Sequence, residues 1–163
     1  MSTKAIDWQA LCESVKSICE AGIATVNGRD VQWFVGRFNL DVEVHCPYGS
    51  IWLGDSEFPE DEGPLGKEDG RLQYREHKDI HILLCTYKVT AGQEDSIWAN
   101  AHGELEDLLR LTLDAVTADT SLGGEVRSSR LVRVDKAPPE LPEDEEIQGC
   151  AITIRAWKNW YGQ

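Results

Sequence analysis

At 163 residues the chain has room for one domain with a substantial core, and a hydrophobic content of 41% is that of an ordinary globular protein. Its formal charge is −13, from 29 Asp and Glu against 16 Lys and Arg, which argues against the basic footprint of a conventional nucleic-acid binder. Short apolar runs such as Ile82-Leu83-Leu84-Cys85 fall far below a bilayer span.

The start, Met1-Ser2-Thr3-Lys4, leads into an amphipathic segment and not into a signal peptide, so a cytosolic protein is expected. Ile6, Ala10, Leu11, Val15, Ile18 and Cys19 recur at helical spacing and predict a helix over Ala5–Ala21, with Gly22 as its C-cap. Asn27-Gly28 is a turn signal. Val31–Phe38 reads as a short strand, and Val42, Val44 and Cys46 alternate as one face of another. Pro47-Tyr48-Gly49 predicts a turn before a strand at Ser50–Leu53. Gly54–Gly70 holds two prolines and four glycines and reads as a long loop.

Leu72–Val89 predicts one or two strands, with Ile80, Ile82 and Leu84 on one face and Leu83, Cys85, Tyr87 and Val89 on the other. Apolar residues on both faces suggest a central strand. Gly92–Asp95 turns into a second helix, about Ser96–Asp119, N-capped by Asp95 or Ser96. Its expected apolar stripe is Ile97, Ala101, Leu105, Leu108, Leu109, Leu113 and Val116, with Glu104, Glu106, Asp107, Arg110 and Asp114 on the wet side. Gly123-Gly124 opens a strand, Glu125–Asp135, with Val126, Val132 and Val134 opposite Arg127, Leu131 and Arg133. After a proline-rich acidic loop, Pro138–Gln148, a last strand sets Cys150, Ile152, Ile154 and Ala156 against Ala151, Thr153, Arg155 and Trp157. The last two strands are expected to pair as a long-looped hairpin. The sum is a single α+β domain over 1–163: a mostly antiparallel sheet of four to five strands with two main helices packed on it.

Charge and cysteines narrow the function. Residues 54–70 carry seven acids and one lysine, and 138–148 carry five acids and no base, so these two loops hold nearly all of the net charge. They are either solvated loops or surfaces that face a basic partner or hold off a polyanion. The cysteines (Cys12, Cys19, Cys46, Cys85, Cys150) are odd in number and form no CxxC pair, which fits buried thiols in a reducing compartment.

The survey for chemistry yields no catalytic, cofactor-binding or metal-ligating set. GxSxG, P-loop, HExxH and dinucleotide fingerprints are missing from the sequence. His77 and His81 share a strand face but would stand about 13 Å apart. His45-Cys46 with Cys85 or Cys150 is the one conceivable thiol–imidazole pairing, with no local pattern to support it. The paired carboxylates sit among polar neighbours, where nothing raises a carboxyl pKa for acid work. An enzyme is therefore not expected. Aromatic and cationic residues crowd the end of the chain instead, and Arg155, Trp157, Trp160 and Tyr161 are the candidate subunit-contact residues.

Asp79-Ile80-His81-Ile82-Leu83-Leu84-Cys85-Thr86-Tyr87, then Asp95-Ser96-Ile97-Trp98-Ala99-Asn100-Ala101 and the helix through Leu113, resemble the tail terminator (tail completion) proteins of long-tailed bacteriophages. So does the ending, Leu131-Val132-Arg133-Val134-Asp135, an acidic loop and Cys150-Ala151-Ile152-Thr153-Ile154-Arg155-Ala156-Trp157. The likeness is one of pattern and order over most of the chain, and the two long acidic loops depart from it. It implies a structural virion protein of the tail or neck, assembled in the host cytoplasm and free of membrane. Such a protein forms a ring, usually a homohexamer, that caps the tail tube protein, ends polymerisation and offers a docking face to the head connector or stopper. DNA would cross the lumen without specific binding, and Glu60, Asp61, Glu62, Glu143, Asp144, Glu145 and Glu146 are the candidate lumen or partner acids. Another neck, connector or minor tail protein, or an acidic inhibitor module, are the competing expectations.

Overall fold

The computed structural model describes residues 7–26, 28–36, 47–57, 66–68, 71–87, 97–136 and 147–161. Helix α1 runs from Trp8 to Gly22. Asp7 caps it: its carboxylate accepts the Ala10 N–H at 3.0 Å, which occupies one of the free donors of the first turn. Leu11, Cys12, Val15 and Cys19 form its buried side. Gly22 is the last helical residue and not the expected left-handed cap; Ile23 is the cap, and its N–H bonds the Cys19 carbonyl at 2.8 Å. The glycine is needed for closeness, since a Cβ there would stand 3.1 Å from the Ala115 Cβ of the second helix.

Strands β1 (Thr25–Val26) and β2 (Arg29–Asp30) form a small antiparallel hairpin, turned at Gly28 with φ of 76°. Strand β3 (Gln32–Val35) then lies parallel to β4 (Tyr48–Glu57). Residues 41–46, where a strand at Val42–Cys46 was expected, lie outside the described residues, as does the Gly92–Asp95 turn.

Tyr48 and Gly49 are not a turn. They already pair with Gln32 and Trp33 on one side and with Cys85 and Leu84 on the other. The glycine that signalled a turn is there for packing: the Trp33 ring fills the space a Cβ would take, 2.1 Å from its position. The Trp33 Nε1–H in turn donates to the Ile23 carbonyl at 3.2 Å, tying the end of α1 to the sheet.

The remaining strands are β5 (Gly66–Glu68), β6 (Arg71–Tyr87), β7 (Ser128–Asp135) and β8 (Ile147–Tyr161). They complete a six-stranded sheet in the order β3-β4-β6-β8-β7, with β5 added to β6, and only β3–β4 is parallel. β6 is central, and β7 and β8 pair antiparallel as expected of the long-looped hairpin. The 54–70 stretch is less of a loop than its composition suggests. Residues 54–57 belong to β4, where Ser56 and Glu57 pair with Lys78 and His77, and 66–68 form β5. β6, 17 residues long, runs past the end of β4, and its backbone at Arg71–Gln73 offers β5 partners that outweigh the poor strand propensity of Gly and Asp.

Helix α2, Ile97–Ala118, packs with α1 on one face of this sheet. Leu108 and Val116 are buried as expected, but so is Glu104, which the periodicity placed in water. The cause is distant in sequence: the Arg29 guanidinium of β2 pairs with the Glu104 carboxylate. Glu106, Asp107, Arg110 and Asp114 do form the exposed side, where Arg110 stands 3.7 Å from Asp107 and 3.8 Å from Asp114.

After α2 the chain reverses through a tight turn instead of entering the strand at Glu125. Leu122, Gly123 and Gly124 all have positive φ, at 50°, 75° and 84°. Asp119 holds the turn, accepting the Ser121 hydroxyl at 2.6 Å, the Ser121 N–H at 3.0 Å and the Gly123 N–H at 2.8 Å. The Ser121 hydrogen bond, aided by the Gly123 amide, holds its carboxyl below the usual range. Ser14 of α1 donates to the Leu122 carbonyl at 2.8 Å, so this turn also fastens the two helices together.

β7 carries a bulge. Leu131 faces Ile154 and Arg133 faces Thr153, leaving Val132 as an extra residue. The bulge shifts the alternation by one. Leu131 therefore shares a face with Val134, and Val132 leaves the valine set in which strict alternation had placed it.

Gly49→Ala should lower stability by about 1–3 kcal/mol, because the added methyl collides with the buried Trp33 ring. Urea denaturation measures it, and a loss under about 0.5 kcal/mol would show that the ring can give way.

Candidate functional site

Directly opposed residues in a sheet point to the same side. The pairs Ile80↔Ile154, Ile82↔Ile152 and Ile51↔Ile82 therefore fix one face, and this face carries the core shared with Leu11, Val15, Leu108 and Val116 of the helices. The other face receives the alternate residues: Trp52 of β4, His77, Asp79 and His81 of β6, Thr153, Arg155 and Trp157 of β8, and Arg130 and Arg133 of β7. Both described helices pack on the first face. On the second face Tyr48, Ser50, Leu83, Cys85, Ala151 and Thr153 are buried as well, and the partly exposed remainder, from Trp52 to Trp157, is the candidate site.

Its side chains are joined across the strands. Trp52 lies against the His81 ring with centroids 5.4 Å apart, and His81 Nδ1 is 3.2 Å from the Thr153 hydroxyl oxygen. One step along, Arg155 binds Asp79 through two bonds, Nε–H to Oδ1 at 2.8 Å and a terminal N–H to Oδ2 at 3.2 Å. One step further, His77 stacks on Trp157 with centroids 6.3 Å apart. The fork geometry of the Arg155–Asp79 pair fixes both planes. The Arg155 hydrogen bond, assisted by the charges of Arg155, His81 and Arg133, holds the Asp79 carboxyl below the usual carboxylate range.

Two of the candidate contact residues, Arg155 and Trp157, thus stand together on this surface. Trp160 and Tyr161 belong to the backbone of β8, opposite Tyr74 and Gln73 of β6, so both stand within a paired strand. Glu60, Asp61, Glu62, Glu143, Asp144, Glu145 and Glu146 lie outside the described residues, as does His45-Cys46. Sequence reasoning had placed His77 and His81 on a common face but passed over Asp79 and Trp52. The signal was there in part: His77, Asp79 and His81 recur every second residue through an otherwise apolar strand.

Three of the described thiols are held in their neutral form. Burial pushes Cys12 up to about 11 and Cys19 and Cys150 up to about 12, far above the range of a reactive thiolate. Cys85 and Cys150 occupy adjacent registers and therefore opposite faces of the sheet. No group of three His, Cys, Asp or Glu among the described residues could hold a metal ion. No described helix is long and apolar enough to cross a membrane. A shallow groove lies on the other side of the sheet between α1 and β4, lined by Trp8, Cys12, Val35, Ile51 and Leu53, with the Lys78 ammonium 3.5 Å over the Trp8 ring. What the partly exposed part of the second face offers is a mixture of indole, imidazole and guanidinium, and Trp and Arg are side chains enriched where proteins meet.

No protein-family model and no curated protein sequence matches the chain. Among solved structures, the chain is similar to the sheath/tube terminator of an extracellular contractile injection system, PVC, determined by electron cryo-microscopy in the extended state. The identity is 14% and the TM-score 0.52; all of this chain is covered, and it spans 58% of the length of that protein. The two share a fold.

Asp79 supplies a pH test of the surface. Its folded pKa is depressed, so its stabilisation is complete above the unfolded value near 3.9 and is lost as pH falls through the lower folded value. Arg155→Gln should cost about 0.5–1 kcal/mol at pH 7, and the gap from the parent chain should close in acid. Urea denaturation at neutral and acidic pH reads it; a gap independent of pH would remove Asp79 from the account.

Proposed function

We propose that this chain is a structural terminator subunit, which docks on the end of a tail-type tube and sheath assembly and stops its growth by surface contact and not by catalysis. The similarity in fold, over all of this chain and 58% of the other, to a sheath/tube terminator is the observation that carries the reading. The second face of the sheet supports it, because Trp52, Trp157 and Arg155 present there the residue types that dominate protein–protein contacts.

In the finer form of this proposal the subunits close into a ring, six to a turn, through contacts that repeat from one copy to the next. In a virion that ring would sit on the tail tube protein, turn its far side to the head connector and let DNA cross its lumen. The acid-rich stretches at 54–70 and 138–148 are suited to such a lumen, since a wall of carboxylates repels phosphate.

Adding the purified chain to polymerising tail tubes tests the reading. Tubes should stop short in proportion to the chain added, with ring-shaped density at one end in negative stain. Tubes of unchanged length with bare ends would overturn it, and a stable monomer that instead captured a basic partner would favour an acidic inhibitor.

A further inference from the structure

One row of side chains on the second face holds more positive than negative charge. Asp79, Arg155 and Arg130 stand level across β6, β8 and β7, so two guanidiniums are directly opposed with one carboxylate beside them. Like charges set directly across a strand pair repel. The charges of His81 and Arg133 also reach Asp79. Protection of a sheet edge accounts for cations on β7. It does not account for Arg155, because β8 is paired on both sides there and has no edge to protect. A partly exposed guanidinium in the interior of the sheet, in a chain of charge −13, needs another explanation.

Its surroundings supply one. Aromatic pairs flank the row along the strands, Trp52 with His81 on one side and His77 with Trp157 on the other. Asp79 holds the Arg155 guanidinium in one plane through two bonds, so little rotamer freedom is left to lose on contact. A fixed cation beside indole rings has the anatomy of an interface anchor. Its complement is a carboxylate carried among apolar side chains. We propose that Arg155 anchors the docking face, and that the protein it docks on presents to it an Asp or Glu side chain whose apolar neighbours pack on Trp52 and Trp157. That this protein is the end of a tail-type tube is taken from the terminator reading, on which the inference rests. Nucleic acid and a second copy of the chain are less suited anions. Both carry a large negative charge that the −13 of this molecule repels as a whole, whereas a single carboxylate meets only the local row.

Nitrogen-15 NMR of the full chain, titrated with the capped peptide acetyl-Leu-Glu-Leu-amide and with its Leu-Gln-Leu counterpart, tests the anchor. The Glu peptide should shift the Arg155 Nε–H and the Trp52 and Trp157 indole N–H signals saturably, and the Gln peptide should bind about tenfold more weakly or less. Arg155→Gln should erase the difference between the peptides and Arg155→Lys should keep part of it, with the rest of each spectrum unchanged. Equal binding of the two peptides, shifts away from this face, or tighter binding of a short single-stranded DNA would overturn the proposal. Preformed tail tubes, bare or with their carboxylates amidated, separate the two ideas in negative stain. The chain should cap the bare tubes alone. Capping of amidated tubes sinks the carboxylate anchor and leaves the terminator reading; recognition of the Glu peptide with neither tube capped sinks the terminator reading and leaves the anchor.

Discussion

Everything in this molecule is placed by the antiparallel ladder between β6 and β8, fifteen opposed pairs from Gln73↔Tyr161 to Tyr87↔Ile147. β4 is laid along one side of β6 and β7 along the far side of β8. The ladder also decides which residues see the helices. Ile80, Ile82 and Leu84 stand level with Ile154, Ile152 and Cys150, and this apolar block is what α1 and α2 cover. A slip of one residue would turn the isoleucines away from the helices and bring Asp79 and Arg155 under them. That exchange would strip the core and bury an ion pair, so the register is held by both faces at once. The core and the candidate docking surface are two outcomes of one alignment.

How much of this is legible in the sequence depends on the range of the interaction responsible. The alternation through β6 and β8 and the helical spacing of Leu11, Val15 and Cys19 are local patterns, and from them the elements, the α+β class and the common face of Arg155 and Trp157 can be read. Glu104 is different. Its burial depends on Arg29, 75 residues away, and no window around the helix contains that partner. Gly49 looks like a turn residue until Trp33 is found lying across it. At Val132 a bulge changes the parity of a strand whose composition gives no sign of it. The candidate site shows the same division: each strand's polar positions are visible alone, but Asp79 becomes meaningful only beside Arg155.

The helix connections show how local and distant terms are made to agree. The Leu122–Gly124 turn has three successive positive φ values, one of them on a leucine, a conformation that a side chain ordinarily resists. It is held from within by Asp119 and from outside by Ser14, while the Leu122 side chain is fully buried. The Trp33–Ile23 hydrogen bond anchors the other end of α1. Both helices are therefore fastened on the same face of the sheet, and on the opposite face Trp52, Asp79, Arg155 and Trp157 are partly exposed.

The second face is itself divided. At one end Tyr48, Ser50, Leu83, Cys85 and Ala151 are buried, whereas Trp52, His77, Asp79, His81, Arg155 and Trp157 keep part of their surface. The Arg155–Asp79 fork therefore stands where water still reaches it, which limits what it adds to stability, while its two parallel bonds hold the guanidinium in one plane between His81 and His77 of the neighbouring strand. A side chain fixed in that way meets a partner without first losing rotamer freedom, so the same pair that contributes little to the fold is the part of this face best prepared for contact.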